Sequence, residues 1–421
     1  MKIVTGDLMH VYASFASDLD YTCRLILKMK DPVDGLLLEK ALRNTEKRYP
    51  YFSVHMRKND SEYYYEPNPS PVALINTDKK ITLNEAEANG HVWAVCYQDD
   101  RIFLDFYHGI ADGTGLYMVL ATLLYYYCNE RYGVTDHAGI RTLDDPVLPE
   151  ETADPLADLP PVRLEDMPNR EIREAFSIIR DGGAAPRDPY IYHVEIPEPA
   201  FVRFMSASDS TPGTMISLLL LRALAARYPG HDKPLVGSYV VNARPMLRQN
   251  ATYHNCLTSL KFDYDERLQK LPFSRQTTVF RGVTFLKSDE DVIRSNMASF
   301  ASYNRVLFDR SPSLEEKKTA FAELRSSFLR SYSSIVSYVG KWKFPALGEY
   351  VEEFWTHAPL ANNCLCELSA VGGKICIALH LRSESDDLFE LFLKQLRQLG
   401  IPYKFKGIAE HDTPVFKEPG N

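Results

Sequence analysis

Through Arg101–Tyr107 the side chains divide cleanly, with Ile102, Leu104 and Phe106 on one side and Phe103, Asp105 and Tyr107 on the other. A period of two marks a strand. The similar run His91–Tyr97, across the turn Gln98-Asp99-Asp100, makes the pair a predicted hairpin. Tyr21–Met29 alternates in the same way, and Ser53–Arg57, Tyr63–Glu66 and Val72–Ile75 read as shorter strands. Elsewhere the period is helical. From Asp31-Pro32 to about Arg48, Leu37, Leu38, Ala41 and Leu42 share a face, and Pro50 ends the helix. Thr114 to about Tyr132 reads as a second helix, with Asp112 or Thr114 as its cap and Gly133 as its stop. His108 therefore falls where a strand ends, just before a long helix.

Asp144–Pro168 is rich in Pro, Asp and Glu, has no period, and reads as a surface excursion. A helix around Arg170–Ile179 is expected next. Gly182-Gly183-Ala184-Ala185-Pro186 is the best candidate for a linker between two lobes. Beyond it come a strand Tyr190–Ile196, a nearly all-apolar helix Met215–Tyr228 led in by Thr211-Pro212-Gly213-Thr214, and a buried strand Leu235–Val241. Further strands are expected at Leu257–Phe262, Ser333–Val339, Cys364–Ala370 and Lys374–Leu381. Helices are expected at Asp289–Leu307, Leu314–Ser327 and Ser385–Leu399, the last stopped by Gly400. Each half mixes a sheet with long helices, which makes the fold class α/β, with lobes 1–183 and 184–421. A chain of 421 residues also exceeds one ordinary core and favours two.

Composition narrows the function classes. Apolar residues make up 45% and charged residues 25%, the profile of a soluble globular protein. The net charge of −8 draws the chain neither to nucleic acid nor to anionic lipid. The most apolar windows, Leu116–Cys128 and Met215–Ala226, are shorter than the roughly 20 residues that span a bilayer, so no membrane span is expected. The seven cysteines are Cys23, Cys96, Cys128, Cys256, Cys364, Cys366 and Cys376. Their odd number and wide spacing, with no signal peptide before them, suggest reduced thiols and a cytoplasmic protein. Cys364-Leu365-Cys366 lacks a second ligand cluster, so no metal is expected.

The chemistry centres on Tyr107-His108-Gly109-Ile110-Ala111-Asp112-Gly113. A histidine leaving a strand can project into a cleft, and its ordinary pKa lies near working pH. As a neutral imidazole it can take a proton from a hydroxyl or amine attacking a carbonyl. Asp112, at the helix start, can point away from the cleft and pair with a cation. Gly113 permits a tight turn or close packing. His-x-x-x-Asp-Gly alone is a short pattern that chance supplies often, and a strand-end histidine beside a helix cap is its bland reading. A GxSxG elbow, a phosphate loop and GxGxxG are absent from the sequence. A cysteine nucleophile stays open, without a local signature. His10, His91, His357 and His380 read as surface or structural. The runs Tyr63–Tyr65 and Tyr125–Tyr127 read as packing, or else as part of a hydrophobic acceptor site.

The run from His108 to Gly113 resembles the active-site motif of the superfamily that includes chloramphenicol acetyltransferase, the plant BAHD acyltransferases, alcohol acetyltransferases and nonribosomal peptide condensation domains. Three more segments resemble that superfamily. Val240-Val241-Asn242-Ala243-Arg244-Pro245 looks like the strand whose arginine pairs with the motif aspartate, and His254-Asn255-Cys256-Leu257-Thr258 looks like the segment that follows it. Ser337-Tyr338-Val339-Gly340, followed by Phe344-Pro345, resembles a late strand that lines the tunnel. The resemblance implies two chloramphenicol-acetyltransferase-like lobes, each a mixed β-sheet with flanking helices, and an active-site tunnel between them. It implies His108 as base, Asp112 as structural support held by Arg244, and Ser337 as a donor to the oxyanion, with Ser333 and Ser334 as competitors. Tyr107, Gly109, Gly113 and Gly340 are implied at the substrate.

Condensation domains carry a second histidine where this chain has Tyr107, and the plant enzymes carry an Asp-Phe-Gly-Trp-Gly segment that this chain lacks. Both departures point to the alcohol-acetyltransferase-like and carrier-protein-linked bacterial branches, nearest the former. The implied reaction is direct transfer from an acyl-CoA, or from an acyl-carrier phosphopantetheine, to a small-molecule alcohol or amine. The implied partners are that acceptor and, in the second case, an acyl carrier protein. A non-catalytic binding module of the same fold is the competing class.

Overall fold

Two β-sheets, each covered by helices, frame the computed structural model, which describes residues 1–15, 21–167, 173–183, 189–359, 364–382, 385–410 and 415–419. The first sheet has five strands in the order Val351–His357, Thr22–Met29, Arg101–Tyr107, Trp93–Gln98, Leu74–Asn76. The predicted hairpin is present, in register from Trp93↔Phe106 to Gln98↔Arg101. Asp99 takes a left-handed φ of 51° to close its two-residue turn. The helices Gly35–Arg48 and Gly113–Tyr132 pack against this sheet and each other. The first of them starts later than Asp31-Pro32 suggested, because the Asp34 carboxylate accepts from the Leu36 and Leu37 amides and caps it there.

The second sheet has seven strands: Leu257–Asp263, Val236–Asn242, Ser334–Lys341, Cys364–Val371, Lys374–Leu381, Tyr190–Pro197, Lys404–Glu410. Ser334–Lys341 runs parallel to both of its neighbours. Behind the sheet lies the nearly all-apolar helix, which runs Pro212–Arg227 with Met215, Ile216, Leu218–Leu221, Ala223 and Leu224 buried. Such a helix has no polar face and needs cover all round. The helix Asp387–Gln398 supplies part of that cover. One strand crosses between the halves: Val351–His357 pairs antiparallel with Thr22–Met29 and completes the first sheet. No helix among the described residues is long and apolar enough to cross a membrane.

Three expectations need correction. Arg173–Ile179 is not helical, and residues 168–172 lie outside the described residues. The Ala175 and Phe176 amides instead donate to Arg330 O and Pro234 O, so this stretch is held by neighbours rather than by its own turns. Asp144–Pro168 is not merely a surface excursion. Its Glu151 is fully buried and accepts from Arg48 at 2.8 and 3.1 Å, while Leu156 and Leu159 join a small core with Ala243, Cys256 and Ile293. Glu151 is thus spent on pairing, while Asp144, Asp145, Glu150, Asp158, Glu165 and Asp166 are exposed as expected. Finally, helices Leu8–Ser14, Glu198–Ala207 and Phe273–Lys287 went unpredicted. The last leaves Val279, Phe285 and Leu286 exposed, so its apolar residues do not trace one stripe. Of the predicted linker, Gly182 and Gly183 lie in or beside a turn and 184–186 lie outside the described residues.

Candidate active site

His108 follows the strand Arg101–Tyr107, and its backbone is gripped from both sides. Its amide donates to Tyr21 O at 2.7 Å, which extends the strand pairing by one step. Its carbonyl accepts from the Asn255 side-chain amide at 2.9 Å. The ring lines a cavity of about 1580 Å³ with walls from both halves of the chain. Nδ1 is buried. Burial holds the His108 pKa below the ordinary histidine value, against the opposing pull of nearby carbonyls and of Asp112 and Asp7. The ring is thus neutral at neutral pH, as a proton acceptor must be.

Asp112 points away from the cavity and is saturated. Oδ1 accepts from the Gly115 amide at 2.9 Å and from Arg244 at 2.8 Å; Oδ2 accepts from Arg244 at 2.9 Å and the Cys256 amide at 3.1 Å. The carboxylate therefore caps the helix Gly113–Tyr132 and forms a bidentate pair with Arg244. Arg244 spends its remaining donors on Thr252 O, His254 O and the Asn242 side chain. The Asp112 and Arg244 side chains are almost wholly buried. The expected pairing is present, and it ties the His108 loop to the second lobe.

A second anchor was not anticipated. Asp7 is buried and accepts from Asn255 N at 3.0 Å, Asn255 Nδ2 at 2.8 Å and His254 Nδ1 at 2.6 Å. The same Asn255 amide nitrogen holds the His108 carbonyl, so Asp7 orients the group that orients His108. Nothing local marks Asp7 in the sequence; it lies before any predicted element. His10, expected at the surface or in a structural role, instead lines the cavity and stacks on His108, with ring centroids 4.7 Å apart and planes 10° apart. Burial, together with His108 and Arg325, holds its pKa well below normal, so it too is neutral. Tyr21 and Arg325 complete this end, the guanidinium carbon lying 4.3 Å from the tyrosine ring centroid.

Among the serines of the late strand, Ser337 lines the cavity. The Ser333 hydroxyl accepts from the Val236 amide, Ser334 is wholly buried, and neither reaches the cavity wall. Beside Ser337, across the parallel register, stands Glu367, a buried carboxyl in the same wall. Burial pushes its pKa up to about 7, moderated by the Ser337 and Thr356 hydroxyls. Glu367 sits inside the predicted strand Cys364–Ala370, and only its mismatch with the apolar run could have flagged it.

The remaining implied residues fall elsewhere. Tyr107 does not line the cavity: its ring stacks on Phe416 with centroids 3.6 Å apart, and its hydroxyl bonds Ser14 at 2.7 Å. Alternation along the strand turns it into the first lobe's core. Gly109, Gly113 and Gly340 are also outside the wall. A Cβ on Gly109 would sit 2.2 Å from the Tyr107 ring, whereas one on Gly113 would meet nothing closer than 3.7 Å. At Gly115 the neighbour is backbone, and a Cβ would lie 2.2 Å from the Tyr253 carbonyl oxygen. Gly340 takes a φ of 112° at an irregularity in its strand. All seven cysteines are buried, none forms a disulfide among the described residues, and none lines the cavity. Burial pushes the Cys256 thiol, the one beside Asp112, up to about 12, which makes it a poor nucleophile. His91 is structural, its Nε2 lying 2.7 Å from Ser70 O. Among the described residues no group of three or more His, Cys, Asp or Glu side chains could hold a metal ion.

No family model matches the chain, and no curated protein matches its sequence. Solved structures do match. F. sporotrichioides TRI101 complexed with coenzyme A and T-2 is 13% identical, with 92% of this chain and 96% of that chain covered and a TM-score of 0.63. Polyketide synthase associated protein 5 from Mycobacterium tuberculosis is 11% identical over 94% and 96%, with a TM-score of 0.61. The first condensation domain of the CDA synthetase is 14% identical over 94% of each chain, with a TM-score of 0.60. At such identities the likeness is one of fold, and this chain has, over nearly its whole length, the two-lobed mixed α/β fold shared by these three proteins.

Proposed function

We propose that the protein is an acyltransferase that moves an acyl group from a thioester, most simply an acyl-CoA, to a hydroxyl or amine of a small molecule, with His108 as general base. One observation carries the reading: His108 alone of the motif faces the cavity, neutral, while Asp112 is turned away and consumed by four hydrogen bonds. Nε2 takes the proton of the attacking group, the new bond forms at the thioester carbonyl, the C–S bond breaks, and the imidazolium returns its proton to the thiolate. Asp112 and Arg244 keep the loop in shape; Asp7 and Asn255 set the His108 backbone. Holding both substrates in one cavity lowers the barrier by proximity. Ser337, in the cavity wall, is the candidate donor to the oxyanion. Coenzyme A bound to a protein of the same fold supports a CoA donor. Residues 1–183 and 184–421 serve as the two lobes, the second lending the strand Val351–His357 to the first.

The test is a thiol-release screen of acyl-CoAs against pooled alcohols and amines, with His108→Ala beside wild type. Release that depends on both an acceptor and His108 supports the reading. Release from a phosphopantetheinyl carrier protein but from no acyl-CoA would shift the donor, a variant favoured by the likeness to a condensation domain. A cellular activity unchanged by His108→Ala would replace catalysis with binding.

A further inference from the structure

The floor of the cavity is one face of the second sheet, built from Ser238 and Val240, Ile335 and Ser337, and Leu365 and Glu367 on three adjacent strands. The other faces of these strands send Val336, Cys366 and Leu368 into the lobe's core. On these three strands the cavity face is apolar or hydroxylic except for Glu367; the edge strand Leu257–Asp263 adds Lys261, whose ammonium donates to the Ser331 hydroxyl, and Asp263. Glu367 pairs in register with Ser337, and Thr356 donates to its Oε2 at 3.3 Å. Among the described residues no cation stands among the groups that act on it. Burying such a carboxyl against apolar walls is unfavourable unless something offsets its charge. The cavity's buried cation, Arg325, does not do so, because its charge lies over the Tyr21 ring at the His108 end.

We propose that Glu367 is a recognition residue for a cationic group, and that the cavity takes an apolar ligand carrying an ammonium, seated against Glu367 and the Ser337 hydroxyl. Deepening the acyltransferase reading, this makes the acceptor an amphiphilic amine. An ammonium held by a carboxylate keeps its proton and has no lone pair for attack. The group that His108 deprotonates is then a second hydroxyl or amine on the same molecule.

The experiment measures binding of octylammonium, octanol and octanoate to the full chain, without any acyl donor, by calorimetry. Octylammonium is expected to bind at least about tenfold more tightly than octanol, the worth of one charge-assisted hydrogen bond. Glu367→Gln, close in shape, should erase the preference, and His108→Ala should keep it. That last arm separates the inference from the catalytic reading, which can fail while the preference stands. Equal binding of octanol, tighter binding of octanoate, a preference that survives Glu367→Gln, or no binding of any probe overturns the proposal; the wild-type comparison decides even if the variant does not fold.

Discussion

Arg244 grips Asp112 through two hydrogen bonds of 2.9 and 2.8 Å across 132 residues of sequence, and both side chains are buried. Each charge is tolerable only because the other is there, and because backbone groups take the remaining donors and lone pairs. Asp112→Asn leaves the guanidinium without its counter-charge, and Arg244→Met leaves the carboxylate without its own. Either change is expected to destabilise the fold by about 3–5 kcal/mol. The double variant should lose less than the sum of the two. Chemical denaturation of the four proteins measures this coupling, and strict additivity would mean that the pair is not a unit.

Turnover should vanish with His108→Ala at nearly unchanged thermal stability, with a drop of roughly 10²–10⁴-fold. In wild type the pH profile follows from the lowered pKa. The base works when deprotonated, and its pKa lies below the ordinary 6.5. Activity should therefore be flat through neutral pH and fall only as acid carries the solution down through that lowered value. A kcat/KM limb centred above 6.5 would contradict the environment described for His108.

Asn255→Ala removes the donor to the His108 carbonyl and strands part of Asp7's network. Because Asn255 acts through His108, kcat should fall while the KM for the thioester changes little, and the pH profile should shift. An unchanged kcat would reduce Asn255 to a structural tie.

The two helix-start glycines should behave differently. Gly115→Ala forces a Cβ to within 2.2 Å of a backbone oxygen and should separate the helix from the Tyr253 segment, lowering Tm by several degrees. Gly113→Ala, with 3.7 Å of clearance, should fold as wild type. Parallel melting curves decide, and equal melting would refute the close approach.

Glu367 should make stability depend on pH. Its folded pKa of about 7 exceeds the ordinary 4.5, so between those values the folded state binds more protons than the unfolded one. Stability should fall as pH rises through that window, by about 3 kcal/mol in all. Glu367→Gln should flatten this dependence, and equal slopes for variant and wild type in titrated melts would place the carboxyl elsewhere.

Local pattern by itself determined much here. Alternation in Arg101–Tyr107 and capping chemistry at Asp112 and Gly133 depend on near neighbours, so they put His108 between a strand and a helix. The Asp112–Arg244 pair came from a resemblance: the short runs around His108 and Arg244 look like those of a superfamily in which the two residues pair. Tertiary structure decided what depends on residues far apart in the chain. It supplied the partner for the Tyr107 ring, Phe416, which lies near the other end of the chain. Asp7 joined Asn255, and His10 came against His108, through packing that no spacing encodes. It also put Glu367 in the cavity floor, since the face a strand residue takes is visible locally, but what lies opposite that face is set by how the two lobes meet.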